Sequence, residues 1–247
     1  MEKIKKIHEK ELDMLLEVER IAKKYNITYF LAYGSALGAI RHYGFIPWDE
    51  DVDIVIKINE YDRFCEAINK EINREFVIEH IMFDSNYDSL KARISVKGSS
   101  NLVTHIDVFP LVGLPDSNLG KKIFTSVAYL NYRLHFLKRL NPDLNYKNKP
   151  LKRKSAKILK KLTAFIPISI TFKINDKLQK AFPLDKSKYI YNLCGSYGKK
   201  EIIPSFWFNQ AVEKEFEGYY LPVPIEYDNY LSRIYGNYME PKKNNYV

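Results

Sequence analysis

One run, residues 31–56, constrains the fold more than any other part of the chain; it reads LAYGSALGAIRHYGFIPWDEDVDIVI. Its first residues close a β-branched and aromatic segment that ends at a glycine, which predicts a strand. The following SALGAI is typical of a helix, and Ser35 is a favourable N-cap. After a loop, VDIVI predicts a second, buried strand. The run therefore predicts a strand, a helix and a strand in succession.

Carboxylates and a glycine–serine pair stand at the two turns of this run. Asp49, Asp51 and Asp53 alternate, so an extended backbone places the last two on one side, and the first joins them if the strand begins that early. Carboxylates suit the hard cations that a di- or triphosphate needs. Gly34 lets the backbone approach a phosphate, and Ser35 adds a hydroxyl and a helix N-terminus. We predict a metal site beside a phosphate anchor; the alternative is a solvated acidic turn.

A third acidic residue is expected from a neighbouring strand. Asp107, in HIDVFPL, lies among apolar residues, where an unpaired carboxylate is unfavourable. A metal or a proton-transfer role explains it, and so does a buried ion pair with a lysine or arginine. We expect the nearby His105 to be structural rather than a ligand.

The remaining sequence predicts an α/β (α+β) fold, with a mixed sheet flanked by helices. An amphipathic helix ends near Asn26, and another helix spans 59–73 with Asn59 as its cap. Three further strand candidates are FVIEHIMF, KARISVKG and THIDVFPLVGL. From about Ser117 the chain becomes helical and basic, and a last short helix is predicted at EYDNYLSRIYG.

Charge is concentrated in one region. Residues 121–180 carry sixteen lysines and arginines against two aspartates, a net charge of +14, so the rest of the chain carries −5 of the total +9. Within it, LKRKSAKILKKLTAFIPI interleaves lysines with apolar residues, which suits an interfacial helix on anionic lipid. An ordinary solvated helical face is the alternative. Nucleic acid is an unfavoured partner, because no recognised motif appears and the acidic triplet repels a phosphate backbone.

The cysteines and the N-terminus bear on location. Cys65 and Cys194 lie outside any CxxC pattern, so neither a disulfide framework nor a zinc site is indicated. The N-terminus has charges throughout, unlike a signal peptide, and no stretch approaches the roughly 20 apolar residues that span a bilayer. We expect a cytoplasmic protein that works at the inner face of the cell membrane.

The order of these features resembles the nucleotidyltransferase superfamily: Gly-Ser at a strand-to-helix turn, a DxD about fifteen residues on, and a later Asp. More narrowly, GSALGAIRHYGFIPWDEDVDI resembles the signature of the LicD family, phosphocholine transferases that decorate bacterial surface glycans and are related to fukutin-type enzymes. The resemblance extends to IDVFPL and, more loosely, to EIIPSFWF, FEG and YLSRIYGNYMEP. It is weakest across residues 121–200.

The resemblance implies roles for the acidic residues. Asp51 and Asp53 would hold one or two Mg²⁺ (or Mn²⁺) ions, with Asp49 as a further candidate ligand. Asp107 would complete the metal site or accept the proton of the attacking sugar hydroxyl. Two metal ions would stabilise the attacking and leaving oxygens of an in-line displacement.

The same resemblance implies donor-binding residues. Arg41, Lys91 and Arg93 would offset the charge of the transferred phosphate, although the last two also fit structural ion pairs. A trimethylammonium group is best held by aromatic faces, and Trp207 and Tyr219 belong to the richest aromatic supply of the sequence. Packing in the core is the alternative for both.

The implied activity is metal-dependent transfer of phosphocholine from CDP-choline to a hydroxyl of a cell-surface glycan: teichoic acid, lipopolysaccharide or a capsule precursor, including a lipid-linked one. Alternatives are transfer of glycerol phosphate, ribitol phosphate or a nucleotidyl group, and an inactive scaffold of the same fold. A glycosyltransferase also uses a DxD, but it does not need the preceding Gly-Ser. We expect a nucleotidyltransferase-like core at 1–116, a basic helical insertion at 117–200 and a C-terminal segment at 201–247.

Overall fold

The computed structural model describes residues 2–98 and 104–240, which form helices around a mixed sheet. The helices are α1 (Glu2–Tyr25), α2 (Tyr33–His42), α3 (Ile58–Glu71), α4 (Asn118–Arg139), α5 (Pro142–Asn145), α6 (Pro150–Leu162), α7 (Ile168–Lys180) and α8 (Tyr227–Tyr235). The strands are β1 (Tyr29–Leu31), β2 (Val52–Lys57), β3 (Phe76–Glu79), β4 (Ala92–Val96), β5 (His105–Gly113), β6 (Tyr189–Asn192), β7 (Ile203–Pro204), β8 (Ala211–Phe216) and β9 (Tyr219–Pro224). The predicted α/β class is confirmed.

Strand β5 is the centre of the main sheet. The sheet runs in the order β1-β2-β5-β4-β3, and the end of β5 also pairs with β6, which pairs with β7. Strands β2 and β5 are parallel, and the other pairs are antiparallel. In this register Asp107 lies opposite Asp53 on one side and opposite Arg93 on the other. The sheet therefore brings together charged residues that are distant in the sequence.

Local sequence explains the two helices beside the sheet. The buried face of α1 repeats at helical spacing through Met14, Leu15, Val18 and Ile21, and it packs against α3. Burial of each such side chain contributes about 1.5–3 kcal/mol. The prediction that Asn59 caps α3 is wrong: the helix begins one residue earlier, and no side chain caps it.

The hairpin β8–β9 forms a second sheet that packs against β1 and α2. Its turn carries Glu217, whose carboxylate accepts a hydrogen bond from the Phe45 amide at 3.0 Å. The Glu217 amide donates to the carbonyl of Tyr43 at 2.8 Å. The C-terminal hairpin thus fixes the start of the loop between α2 and β2, which carries the acidic triplet.

Helices α4 to α7 lie between β5 and β6 in the chain. Helix α4 packs against α6 and α7, and α7 packs against β5. Strand β6, which follows them, rejoins the main sheet. Within the described ranges no helix combines the length and apolar character that crossing a bilayer demands. The three-region division of the chain stays a prediction.

Candidate active site

An acidic cavity of about 240 Å³ opens between the start of α2 and the start of β2. Asp49, Asp51 and Asp53 all line it, together with Gly34. The structure therefore brings the predicted glycine and the acidic triplet to one place. Asp53 lies in β2 and the other two aspartates lie in the loop before it, so the strand begins after Asp51.

The prediction that Ser35 is the N-cap of α2 is wrong. The helix begins at Tyr33, and Ala32 occupies the cap position without a side-chain hydrogen bond. Ser35 is buried in the first turn, where its Oγ accepts a hydrogen bond from the backbone N–H of Asp53 at 2.8 Å. Tyr33 has φ of +46°, a left-handed conformation that is uncommon for a side-chain-bearing residue. This conformation turns the chain out of β1 earlier than the sequence pattern indicates.

A glycine is needed at position 34 because the side chain of Asp49 lies against it, and not because of its own backbone angles. A Cβ atom at this position would overlap the carboxylate of Asp49. On the other side of the loop, His8 of α1 donates a hydrogen bond from Nε2 to the Asp49 carbonyl at 2.7 Å, and its ring stacks on Phe45. The position of Asp49 is thus set by a glycine and by an anchored backbone.

The three carboxylates of the cavity repel one another. Burial first, and then the charge of Asp51, raises the pKa of Asp49 to about 6. Burial and the charge of Asp51 also raise the pKa of Asp53 well above its ordinary value, although Lys91 acts in the opposite direction. Clustered carboxylates in a partly buried place resist ionisation unless a positive charge is near. The cavity therefore favours a cationic ligand.

Asp107 is held by three basic side chains. Its Oδ2 accepts from Lys91 Nζ, its Oδ1 accepts from Arg93 Nε at 3.1 Å, and His105 Nε2 lies 3.6 Å from Oδ2. Burial raises the pKa of Asp107, but the hydrogen bond from His105 and the charges of Lys91 and Arg93 outweigh it, so the pKa lies well below the ordinary value. Asp107 is consequently an ionised carboxylate that is already compensated. Lys91 also lies over the ring of Phe109, 3.9 Å from its centroid.

A candidate metal centre contains two of the predicted ligands, Asp51 and Asp107, together with His105, which was not a predicted ligand. Ligand atoms of Asp51, His105 and Asp107 lie within 4.8 Å of one another, whereas Asp53 lies outside this group. The carboxylate oxygens suit Mg²⁺ or Mn²⁺, and the unfavourable crowding of negative charge at Asp53 fits a cation nearby. A cation there would compete with Lys91 for Asp107. The sequence signal for His105 was its position two residues before Asp107, which puts both on one face of β5.

Aromatic residues also line the cavity and form its aromatic wall. Tyr33, Phe109, Tyr197 and Tyr235 line it. The rings of Tyr33 and Tyr197 stack at 5.5 Å, and the rings of Tyr197 and Tyr235 meet edge to face at 5.5 Å. Their hydroxyls are 3.2 Å apart in the second pair. The cavity therefore combines carboxylates with π-rich side chains.

The predicted aromatic residues lie elsewhere. Trp207 is partly buried against the core, in a short 3₁₀ helix, and Tyr219 is about half exposed at the start of β9. Neither is among the residues that line the cavity. Tyr197 and Tyr235 line the cavity instead. Tyr235 lies in YLSRIYGNYMEP, a segment with a loose family resemblance, whereas no motif marks Tyr197.

A buried network supports the aromatic wall. Glu201, which is fully buried, accepts hydrogen bonds from the Tyr33 hydroxyl at 2.7 Å and from the Tyr197 amide at 3.1 Å. Asn192 donates to the same Tyr33 hydroxyl at 2.7 Å. A Cβ on Gly195 would overlap the Glu201 carboxylate. Burial raises the pKa of Glu201 to about 7.

Arg41 lies near the C-terminal end of α2, eight residues after Tyr33, which corresponds to about 12 Å along a helix. Its Nε donates to His42 Nε2 at 3.0 Å, and its NH1 donates to the Tyr238 carbonyl at 2.7 Å. These contacts tie the segment after α8 to the core. Arg41 is not among the residues that line the cavity.

Comparison with known proteins agrees with the site. The nucleotidyltransferase-domain profile of LicD/FKTN/FKRP matches residues 26–142, which include the acidic triplet and Asp107. Lipopolysaccharide cholinephosphotransferase LicD of Haemophilus influenzae is 30% identical over 243 residues, 93% of this chain and 88% of that protein. Uncharacterised proteins of Rickettsia typhi and Rickettsia prowazekii are 31% and 42% identical over 27% and 17% of this chain, or 22% and 16% of their own lengths.

The match to the Haemophilus protein runs through nearly the whole of both chains, well beyond the matched domain. The resemblance to the LicD family is thereby confirmed. This chain belongs to the LicD/FKTN/FKRP nucleotidyltransferase-domain family and is an enzyme of the phosphotransferase class.

Proposed function

We propose that this enzyme transfers phosphocholine from CDP-choline to a hydroxyl of a bacterial cell-surface glycan, with Mg²⁺ or Mn²⁺ as cofactor. The name of the Haemophilus relative supports the transferred group and points to lipopolysaccharide as one acceptor. Teichoic acid and capsule precursors offer the same kind of hydroxyl. The reaction is expected to take place in the cytoplasm.

The observation that carries the proposal is the composition of the cavity. The residues that line the cavity include carboxylates, among them Asp51 and Asp53, and aromatic residues, among them Tyr197 and Tyr235. A phosphocholine group has the matching polarity, because its anionic phosphate needs a cation and its quaternary ammonium binds aromatic faces.

The chemistry is a displacement at phosphorus. The acceptor hydroxyl oxygen forms a bond to the choline-bearing phosphorus as the anhydride bond to CMP breaks, and the hydroxyl proton leaves to a base. A divalent cation held by Asp51, His105 and Asp107 would neutralise charge on the diphosphate and the departing CMP. Gly34, in the first turn of α2, lines the same cavity, and the free N–H groups of a helix N-terminus favour an anion.

The chain offers two different carboxylates for the proton. Asp107 is ionised and engaged by Lys91 and Arg93, so it is a weak proton acceptor. Asp53 lines the cavity, and burial together with the charge of Asp51 raises the pKa of its carboxyl above the ordinary value, which favours proton acceptance. We therefore assign proton acceptance to Asp53. We assign to Asp107 the positioning of Lys91 and of Arg93 on the neighbouring strand β4.

The proposal is tested by donor profiling. Purified enzyme, Mg²⁺ and a glycan acceptor extract are incubated with CDP-choline, CDP-glycerol or CDP-ribitol, and both CMP release and the mass added to the glycan are measured. The proposal expects turnover of CDP-choline and addition of one phosphocholine mass. Turnover of CDP-glycerol or CDP-ribitol alone would retain the reaction type and replace the transferred group.

A further inference from the structure

Helix α6 turns its apolar side chains away from the protein. Leu151, Ile158 and Leu162 share one face of the helix and are 83%, 50% and 64% exposed. Across the described residues of α6, Ala156 alone is buried. An amphipathic helix at the surface of a globular protein ordinarily packs its apolar stripe on the core. In α6 this arrangement is reversed.

Polar contacts hold the inner side of α6 in this orientation. Lys160 Nζ donates hydrogen bonds to the carbonyls of Lys138 and Leu140 at the end of α4, and Lys138 Nζ donates to the carbonyl of Thr163. These bonds satisfy carbonyl groups at two helix ends. These hydrogen bonds therefore hold the apolar stripe of α6 in its outward position.

The apolar surface continues onto α4 and beyond α6. Leu119, Ile123, Val127 and Leu130 are spaced along one face of α4, and all four are exposed. A groove of about 670 Å³ between the two helices is lined by Leu130 of α4 and by Leu159 of α6, which is half exposed, so exposed apolar side chains of both helices adjoin there. Phe165, just after α6, is 84% exposed. Exposed apolar patches of this extent mark interaction sites.

The basic residues around the apolar stripe of α6 indicate which kind of partner it binds. Six of the thirteen residues of α6 are basic and none is acidic. Lys157 pairs with Asp143, but Lys152, Lys154 and Lys161 have no acidic partner within 4 Å in the part of the chain that the structure describes. A second copy of the chain would oppose like charges, and a nucleic acid would leave the leucines in water. An anionic bilayer accommodates both the apolar side chains and the lysines of α6, because aliphatic side chains enter the acyl region while lysines reach the headgroups.

We propose that α6 and the exposed face of α4 dock this enzyme on an anionic phospholipid membrane. The docking face lies next to the cavity: Tyr129 and Leu130 of α4 share a groove of about 420 Å³ with Gly198 and Lys199. Gly198 directly follows Tyr197 of the aromatic wall. If the proposed function holds, a membrane-bound enzyme meets a lipid-linked acceptor with its cavity beside the bilayer.

The test measures membrane binding without any donor or acceptor, so it is independent of catalysis. Full-length protein is sedimented with phosphatidylcholine vesicles that contain or lack phosphatidylglycerol. We expect binding that requires phosphatidylglycerol and weakens between about 0.1 M and 1 M NaCl, as the screening length falls from about 10 Å to about 3 Å.

Two variants separate the apolar and the electrostatic contributions. Leu151→Ser/Ile158→Ser/Leu162→Ser and Lys154→Gln/Lys161→Gln should each reduce the vesicle partition coefficient about tenfold or more. Lys5→Gln/Lys70→Gln, with exposed lysines on α1 and α3, is the matched control and should bind as the unmodified protein does. All substituted side chains are exposed, and circular dichroism and thermal unfolding verify folding.

Three results would overturn the proposal. They are the absence of binding to vesicles with phosphatidylglycerol, equal binding by the unmodified protein and both variants, and a dimer in sedimentation velocity that the leucine substitutions dissolve. Turnover of soluble CDP-choline should be the same in the α6 variants as in the unmodified protein, so a failure of the docking proposal is distinguishable from a failure of the proposed function.

Discussion

The hydroxyl of Ser35 and the backbone amide of Asp53 are joined by a 2.8 Å hydrogen bond that connects α2 to β2. The bond fixes the first turn of the helix, which carries the cavity-lining Gly34, against the strand that carries a carboxylate. A serine expected to cap a helix thus positions an acidic residue instead. The arrangement of the cavity depends on such contacts between elements.

Loss of this bond should impair catalysis more than folding. In Ser35→Ala the Asp53 amide loses its partner in a buried place, which costs about 1–3 kcal/mol. We expect the free energy of unfolding to fall by that amount and kcat to fall at least about tenfold, through displacement of Asp53. Urea denaturation and CMP release measure the two effects. Ser155→Ala, on the surface of α6, is the control, and an unchanged kcat in Ser35→Ala would contradict the assigned role.

Gly34 is a second position where a small change should act on Asp49. A methyl group in Gly34→Ala would overlap the Asp49 carboxylate and push it from the cavity wall. We expect at least about a tenfold loss of kcat/KM for CDP-choline, since misplacement by about 1 Å can reduce rates by two orders of magnitude. Ser155→Ala, on the exposed surface of α6, is the comparison. Equal activity of the two variants would show that Asp49 is dispensable.

Most strands of the main sheet, and the acidic residues of the cavity, could be predicted from the sequence. Strands such as β2 and β5 were predictable because their apolar runs are local and bounded by polar residues. The start of α2 was not, because the left-handed backbone of Tyr33 is accompanied by a hydrogen bond from its amide to the Tyr230 hydroxyl, nearly 200 residues away in the chain. Long-range contacts of this kind leave no local pattern.

The same reasoning separates the two walls of the cavity. The acidic triplet was predictable because its members are close in sequence and alternate as an extended chain requires. Tyr197 and Tyr235 reach the cavity only because β6 pairs with β5 and α8 packs on α2, and neither contact has a motif. His105 could have been inferred from its place on the same face as Asp107, but buried histidines are usually structural.

Tyr197 should discriminate donors by their charge. Tyr197→Leu removes a ring that we propose to contact the quaternary ammonium. Cation–π contacts contribute about 0.5–2 kcal/mol, so we expect KM for CDP-choline to rise about 2- to 30-fold. Tyr197→Phe keeps the ring and removes only the hydroxyl contact with Tyr235, so its KM should stay close to that of the unmodified enzyme. An equal rise in both variants would place choline elsewhere.

Glu201 should make stability fall with pH. Because its folded pKa of about 7 is above the ordinary value of 4.5, the unfolded chain releases the proton first. The stabilisation is complete below about pH 4.5 and is lost as the pH rises through 7. We expect Glu201→Gln to gain about 2–3 kcal/mol relative to the unmodified protein between pH 5 and pH 8.

Urea denaturation across this pH range measures that difference. Glu215→Gln, at an exposed position on β8, is the control and should show a constant offset. A constant offset in Glu201→Gln as well would mean that the buried carboxyl is ionised throughout, contrary to its burial beside Tyr33.

Metal-dependent transfer of phosphocholine can be tested by measuring CMP release from CDP-choline in the presence of a glycan acceptor. The unmodified enzyme and Asp53→Asn are compared, each in Mg²⁺ and in EDTA. The account predicts turnover that requires Mg²⁺ and falls at least about a hundredfold in Asp53→Asn, as the loss of a general base produces. Turnover that persists in EDTA or is retained in Asp53→Asn would contradict it.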